Sequence, residues 1–169
     1  MAINSESIKT AIEMEEKGYK YYSENAKNTE NKISRRVLES LAEQELDHRK
    51  RFKELSAKSK EFSSELEAED FEEKIKEFFT AAGKEEKKSW KEEEKEVYEK
   101  ALEMEKKTYR LYSDMLDQTD DENEKKLLKA IMNEENQHEE SIQNILYYLT
   151  DHDWWLADEE SKTWNWMNI

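Results

Sequence analysis

The chain has no cysteine, no proline and only 2 glycines among its 169 residues. Without cysteine there is no disulfide, no thiolate zinc site, no cysteine nucleophile and no cysteine-ligated iron–sulfur centre. Proline and glycine punctuate the turns of sheets built from short strands, so their scarcity argues against a sandwich, a barrel or a glycine-rich phosphate loop. No segment approaches the roughly 20 apolar residues of a membrane span. The opening residues, MAINSESIKTAIEMEE, hold no apolar stretch of signal-peptide length, and a cytoplasmic location is expected. Positive charge is also in deficit, with 28 Lys and Arg against 43 Asp and Glu and a formal net charge of -15. That balance repels phosphate backbones and anionic lipids, so nucleic acid and membranes are not expected partners, whereas cations are.

What is present is periodic. Charged residues make up 42% and hydrophobic residues 35%, but 11% aromatics and regular apolar stripes supply a face that can be buried. The expectation is an all-α fold around one core. An internal repeat organises it: AIEMEEKGYKYYSE at 11–24 returns as ALEMEKKTYRLYSD at 101–114, 90 positions on, with 8 of 14 residues identical. Glu45 and His48 return at the same offset as Glu135 and His138. The chain reads as two helical hairpins, about 5–56 and 90–150, together forming a four-helix bundle over 1–150.

Helix A is expected from Asn4 or Ser5 to about Asn28, with the stripe Ile8, Ala11, Ile12, Tyr19, Tyr22 and Ala26. Helix B follows a short Asn-containing turn and carries Leu38, Leu41, Phe52 and Leu55. Ser89-x-x-Glu92 and Thr119-x-x-Glu122 read as capping boxes that open helices C and D. The crossover 57–89 is too long for a simple turn and suits helices B and C running parallel. Phe71, Ile75, Phe78, Phe79 and Ala82 repeat at helical spacing before Gly83, which predicts a short amphipathic helix there with a glycine cap. Four of the 5 tryptophans fall in 151–169, at 154, 155, 164 and 166. That density predicts a segment packed on the bundle or at the contact of a homodimer.

The chemistry appears when acids are placed on these stripes. Glu15 and Glu105 point into the core between apolar neighbours, as do Glu45, His48, Glu135 and His138. Four buried carboxylates without partners would cost more than the roughly 5 to 15 kcal/mol by which a domain is stable. Two divalent ions balance their charge. One Glu from each of two helices, plus Glu-x-x-His from each of the other two, is the ligand pattern of carboxylate-bridged dinuclear sites in bundles. Oxygen-rich ligation with one imidazole per ion suits two iron ions per chain, with manganese possible. Tyr22 and Tyr112 read either as core aromatics or as phenols hydrogen-bonded to the metal-bound carboxylates. Tyr19 and Tyr109 read as packing, Glu16, Glu43 and Glu139 as charged surface, and His152 as a solvated histidine outside the repeat.

Glu15…Tyr22 with Glu45-x-x-His48, and Glu105…Tyr112 with Glu135-x-x-His138, joined by a long crossover, resemble the rubrerythrin branch of the ferritin-like superfamily over about 5–150. The resemblance implies that Glu45 and Glu135 bridge two irons, that His48 and His138 are terminal ligands, and that Glu15 and Glu105 are terminal or bridging. It also implies an oxidoreductase that reduces hydrogen peroxide, or dioxygen, with electrons from a rubredoxin-type donor. Two features depart from the family. The cysteines of a rubredoxin domain are missing, so the donor must be external. The position of a further family glutamate, three residues after Glu105, is Thr108, with Gly18 as its repeat mate. The remaining six-ligand set is similar to a ferroxidase centre, which makes ferroxidase or iron storage the alternative. A non-catalytic metal-binding protein is a third reading.

Overall fold

A computed structural model describes residues 2–57, 71–82 and 90–150. Among the described residues there are five helices and no strand: α1 Ser5–Asn28, α2 Lys32–Ser56, α3 Phe71–Ala81, α4 Glu92–Gln118 and α5 Glu122–Thr150. The fold is the expected all-α ferritin-like bundle. None of these helices is long and apolar enough to cross a membrane. The tryptophans at 154, 155, 164 and 166, His152 and the Gly83 cap lie outside the described residues.

α1 and α2 begin at asparagines whose side chains receive orphan N–H groups. Asn4 Oδ1 accepts from Glu6 N at 2.7 Å and Ser7 N at 3.3 Å, and Asn31 Oδ1 accepts from Ser34 N at 2.8 Å. The two expected capping boxes are corrected. α4 starts after Lys91, not Ser89, because the Glu94 carboxylate reaches back to Lys91 N at 3.0 Å and is also held by the Thr29 hydroxyl. At α5 the cap is Asp121 rather than Thr119, since Asp121 Oδ1 takes the N–H groups of Asn123 at 2.9 Å and Glu124 at 3.1 Å. Thr119 instead accepts from Asp121 N and donates to the Glu124 carboxylate.

α1 packs chiefly on α2, and α4 on α5. Ser34 and Tyr98, each in an early turn of its helix, meet through their hydroxyls at 3.0 Å, so α2 and α4 run parallel. A parallel pair needs the long crossover, and α3 within it lies over α5 and α2. Phe71, Ile75 and Phe79 are its buried face, at the i, i+4, i+8 spacing of one helical stripe.

The core is layered along the bundle. One apolar cluster gathers Tyr22, Leu38, Leu41, Ile75, Tyr98, Ile142 and neighbours, and the other gathers Ile8, Ala11, Phe52, Met115, Leu128 and Ile131. In every one of the four long helices the ionisable residues 15, 45, 48, 105, 135 and 138 fall between these two sets. A thin polar layer is thus enclosed above and below by hydrocarbon.

Candidate metal centre

α1 contributes Glu15, α2 Glu45 and His48, α4 Glu105, and α5 Glu135 and His138. The Glu and His of each i, i+3 pair share one helix face, which aims both into the same space. None of the six is more than 4% exposed. They form two overlapping groups, Glu15 with Glu45, His48 and Glu135, and Glu45 with Glu105, Glu135 and His138. Within each group one ligand-type atom per residue lies inside 4.8 Å of all the others. The imidazole rings face each other, 5.7 Å apart and 22° from parallel.

The donor set fits a pair of metal ions. His48 Nδ1 is 2.9 Å from Glu135 Oε1 and 3.6 Å from Glu15 Oε2. His138 Nδ1 is 3.6 Å from Glu105 Oε2 and 3.7 Å from Glu135 Oε2. Yet Glu15 Oε2, Glu45 Oε1, both Glu135 oxygens and both Nδ1 atoms have no aligned hydrogen-bond partner among the described residues. Buried polar atoms left this way are costly unless a cation takes them.

A surrounding shell fixes how these side chains point. His48 Nε2 lies 2.7 Å from Glu134 Oε2, and His138 Nε2 lies 2.7 Å from Gln44 Oε1. Both partners are oxygen acceptors, so Nε2 holds a proton and Nδ1 is the atom that faces the cluster, its lone pair open to a cation once the ring is neutral. Tyr22 donates its hydroxyl to Glu105, and Tyr112 donates to Glu15. The two phenols therefore hold carboxylates of the opposite hairpin as well as filling core. Phe71 closes one flank, its ring 4.9 Å from that of His138.

With protein groups alone the layer is a store of shared protons. Burial raises Glu15 and Glu45 above the usual carboxyl range, and it lifts Glu105 to about 8 with help from the charge of Glu135. Burial also pushes Glu135 up, but the neighbouring Glu105, His138 and His48 outweigh it and hold this carboxyl well below its ordinary value. Desolvation would lower both imidazoles. The surrounding acids prevail, Glu105 and Glu135 taking His138 to about 9 and Glu15, Glu134 and Glu135 taking His48 well above its ordinary value. Burial and the neighbouring Glu105 and Glu45 raise Tyr22, so its phenol remains an O–H donor at neutral pH.

All six residues singled out from the sequence meet here. The surface acids stay outside: Glu16 pairs with Arg49 and with Lys20, Glu43 is exposed, and Glu139 is 3.8 Å from Lys106. Sequence reasoning missed Glu134, Gln44 and Arg51. A usable signal existed, because Gln44 and Glu134 stand one turn before His48 and His138 and are themselves repeat mates.

Four long helices with a crossover between the second and third, enclosing a mid-height layer of Glu and paired Glu-x-x-His, define a ferritin-like protein. More narrowly, the chain belongs to the rubrerythrin family, whose model matches residues 6–146. No curated protein and no solved structure matches it.

Proposed function

We propose that Glu15, Glu45, His48, Glu105, Glu135 and His138 hold two iron ions, with manganese the alternative, and that the loaded centre reduces hydrogen peroxide to water. The carrying observation is the convergence of unpartnered oxygen and nitrogen atoms from these side chains on one enclosed layer of a rubrerythrin-family chain. A ferrous pair supplies the two electrons that peroxide takes up with two protons to give two waters.

The chain's own residues divide the remaining work. Glu45 and Glu135 belong to both groups and would be shared by the two ions, while Glu15 with His48 and Glu105 with His138 would each hold one. Tyr22 and Tyr112 restrain Glu105 and Glu15, and the apolar layers on either side exclude bulk water. Because the chain has no cysteine, a rubredoxin-type electron donor comes from outside these 169 residues. That external donor and a homodimeric assembly are part of the proposal.

Ferroxidase activity toward dioxygen is the competing reading, and one observation favours it: Thr108 and Gly18 leave no carboxylate beyond the six-residue set at the repeat positions following Glu105 and Glu15. The test mixes ferrous-loaded protein with peroxide under anaerobic conditions and separately with dissolved dioxygen. Peroxide reduction predicts faster oxidation by peroxide, one peroxide consumed per two ferrous ions, and iron retained. Faster oxidation by dioxygen followed by ferric mineral would make it a ferroxidase. Retained iron inert to both would make it a metal-binding protein without this chemistry.

A further inference from the structure

The 90-residue repeat holds for the six central side chains and breaks immediately behind the histidines. Behind His48, Glu134 Oε2 lies 2.7 Å from Nε2, Arg51 Nη1 lies 2.9 and 3.0 Å from the two Glu134 oxygens, and Arg51 Nη2 lies 2.6 Å from Asp47 Oδ2. Two carboxylates and one guanidinium leave a net negative charge. The positions 90 residues away from Glu134, Arg51 and Asp47 are Gln44, Ser141 and Gln137, all uncharged. Behind His138, Gln44 supplies only a neutral carbonyl oxygen at 2.7 Å, and Gln137 accepts Phe71 N–H at 3.3 Å.

The crossover explains the difference. α3 covers the His138 flank with Phe71, where charged side chains would be stripped of water without enough compensation. On the His48 flank, Arg51 and Asp47 keep 13% and 28% of their side-chain surface, so an ion pair is sustainable there.

We propose that the two metal positions are inequivalent, and that Glu134 acts as a positioning residue that makes the His48 position the tighter one. This rests on the metal-centre reading above. An imidazole N–H donated to a carboxylate makes the opposite ring nitrogen a stronger electron donor than an N–H donated to a neutral amide. The net charge of the Asp47–Arg51–Glu134 chain adds attraction for a cation at His48. Arg51 grips both Glu134 oxygens, which keeps this carboxylate behind the ring and out of the ligand set.

The test is an anaerobic cobalt(II) titration of the full chain, followed by visible absorption and calorimetry. Paramagnetically shifted imidazole N–H signals are read at one equivalent. The wild type is expected to take up two ions in separate steps, about 10- to 100-fold apart in affinity, with a single shifted N–H after the first. Glu134→Gln should narrow the gap by weakening the first step about 10-fold or more while leaving the second nearly unchanged, so that the second shifted signal gains intensity at one equivalent. Gln44→Glu approaches from the other side and should strengthen the second step. Two wild-type ions of indistinguishable affinity, or a gap untouched by both variants, would overturn the inference while leaving the metal centre intact. Uptake of fewer than two ions would overturn the metal-centre reading, and the inference with it.

Discussion

His48 on α2 donates its Nε2–H to the carboxylate of Glu134 on α5, across a separation of 2.7 Å. The same crossing from one hairpin to the other recurs in His138 to Gln44, Tyr22 to Glu105 and Tyr112 to Glu15. No hairpin holds its own histidine or its own ligand carboxylate by these bonds. The centre therefore takes shape only when the two halves of the repeat dock.

That interdependence should be visible in stability. Glu134→Ala leaves His48 Nε2 and the mostly buried Arg51 without their shared acceptor, and should cost the metal-free protein about 1 to 3 kcal/mol. Thermal unfolding of chelator-treated protein measures this. An unchanged melting temperature would mean that the crossing bond contributes nothing to docking.

Metal-free stability should fall as pH rises. Glu105 moves from 4.5 to about 8 on folding and His138 from 6.5 to about 9, so the folded chain binds more protons than the unfolded one across this window. Stability from these groups is complete below their unfolded values and lost as pH climbs through 8 and 9. Glu135 and Glu134 are depressed and act oppositely, their contribution disappearing in acid below the ordinary carboxyl range. Metal-free protein should accordingly melt lower at pH 9 than at pH 6, and the gain on adding metal should widen over the same interval. A melting temperature that rises toward pH 9 without metal would contradict the buried-acid argument.

Tyr22→Phe and Tyr112→Phe remove equivalent hydroxyls from repeat-related sites. Each should preserve the fold, since the ring stays in the core, and each should weaken metal binding by about 10-fold through a loosened Glu105 or Glu15. Dissociation constants from calorimetry test it. Wild-type affinity in both variants would reduce the phenols to core packing.

The long helices, the short helix over 71–81 and the convergence of six side chains are legible because stripes at helical spacing and a shared offset can be read directly along the chain. Cap positions are not. Glu94 accepts from Lys91 N and from the hydroxyl of Thr29, which lies in the other hairpin, and Asp121 rather than Thr119 takes the N–H groups of Asn123 and Glu124. The shell behind the histidines is equally hidden, because Glu134 meets a residue 86 positions away in the other hairpin. Trp90, which no stripe or repeat marks, stacks with Phe79 at 6.1 Å and meets Tyr98 and Tyr148 at 5.9 Å each, packing against one apolar cluster.

Gly18 has a steric role beside the centre. A Cβ placed there would collide with the Glu45 carboxylate, whose Cδ would lie only 2.8 Å away. Gly18→Ala should favour the helix itself by about 1 kcal/mol, yet displace Glu45, which belongs to both groups. The expected result is a metal-free protein at least as stable as the wild type that binds metal at least about 10-fold more weakly. Full metal content in this variant would show that Glu45 is free to move without loss.

The central claim, that these six residues hold two iron ions, is tested most directly by anomalous X-ray scattering at the iron edge from crystals of the iron-loaded protein. Two peaks are predicted per chain, one beside His48 Nδ1 and one beside His138 Nδ1, with Glu45 and Glu135 reaching both. A single peak, no peak in this layer, or iron bound only elsewhere on the acidic surface would contradict the account.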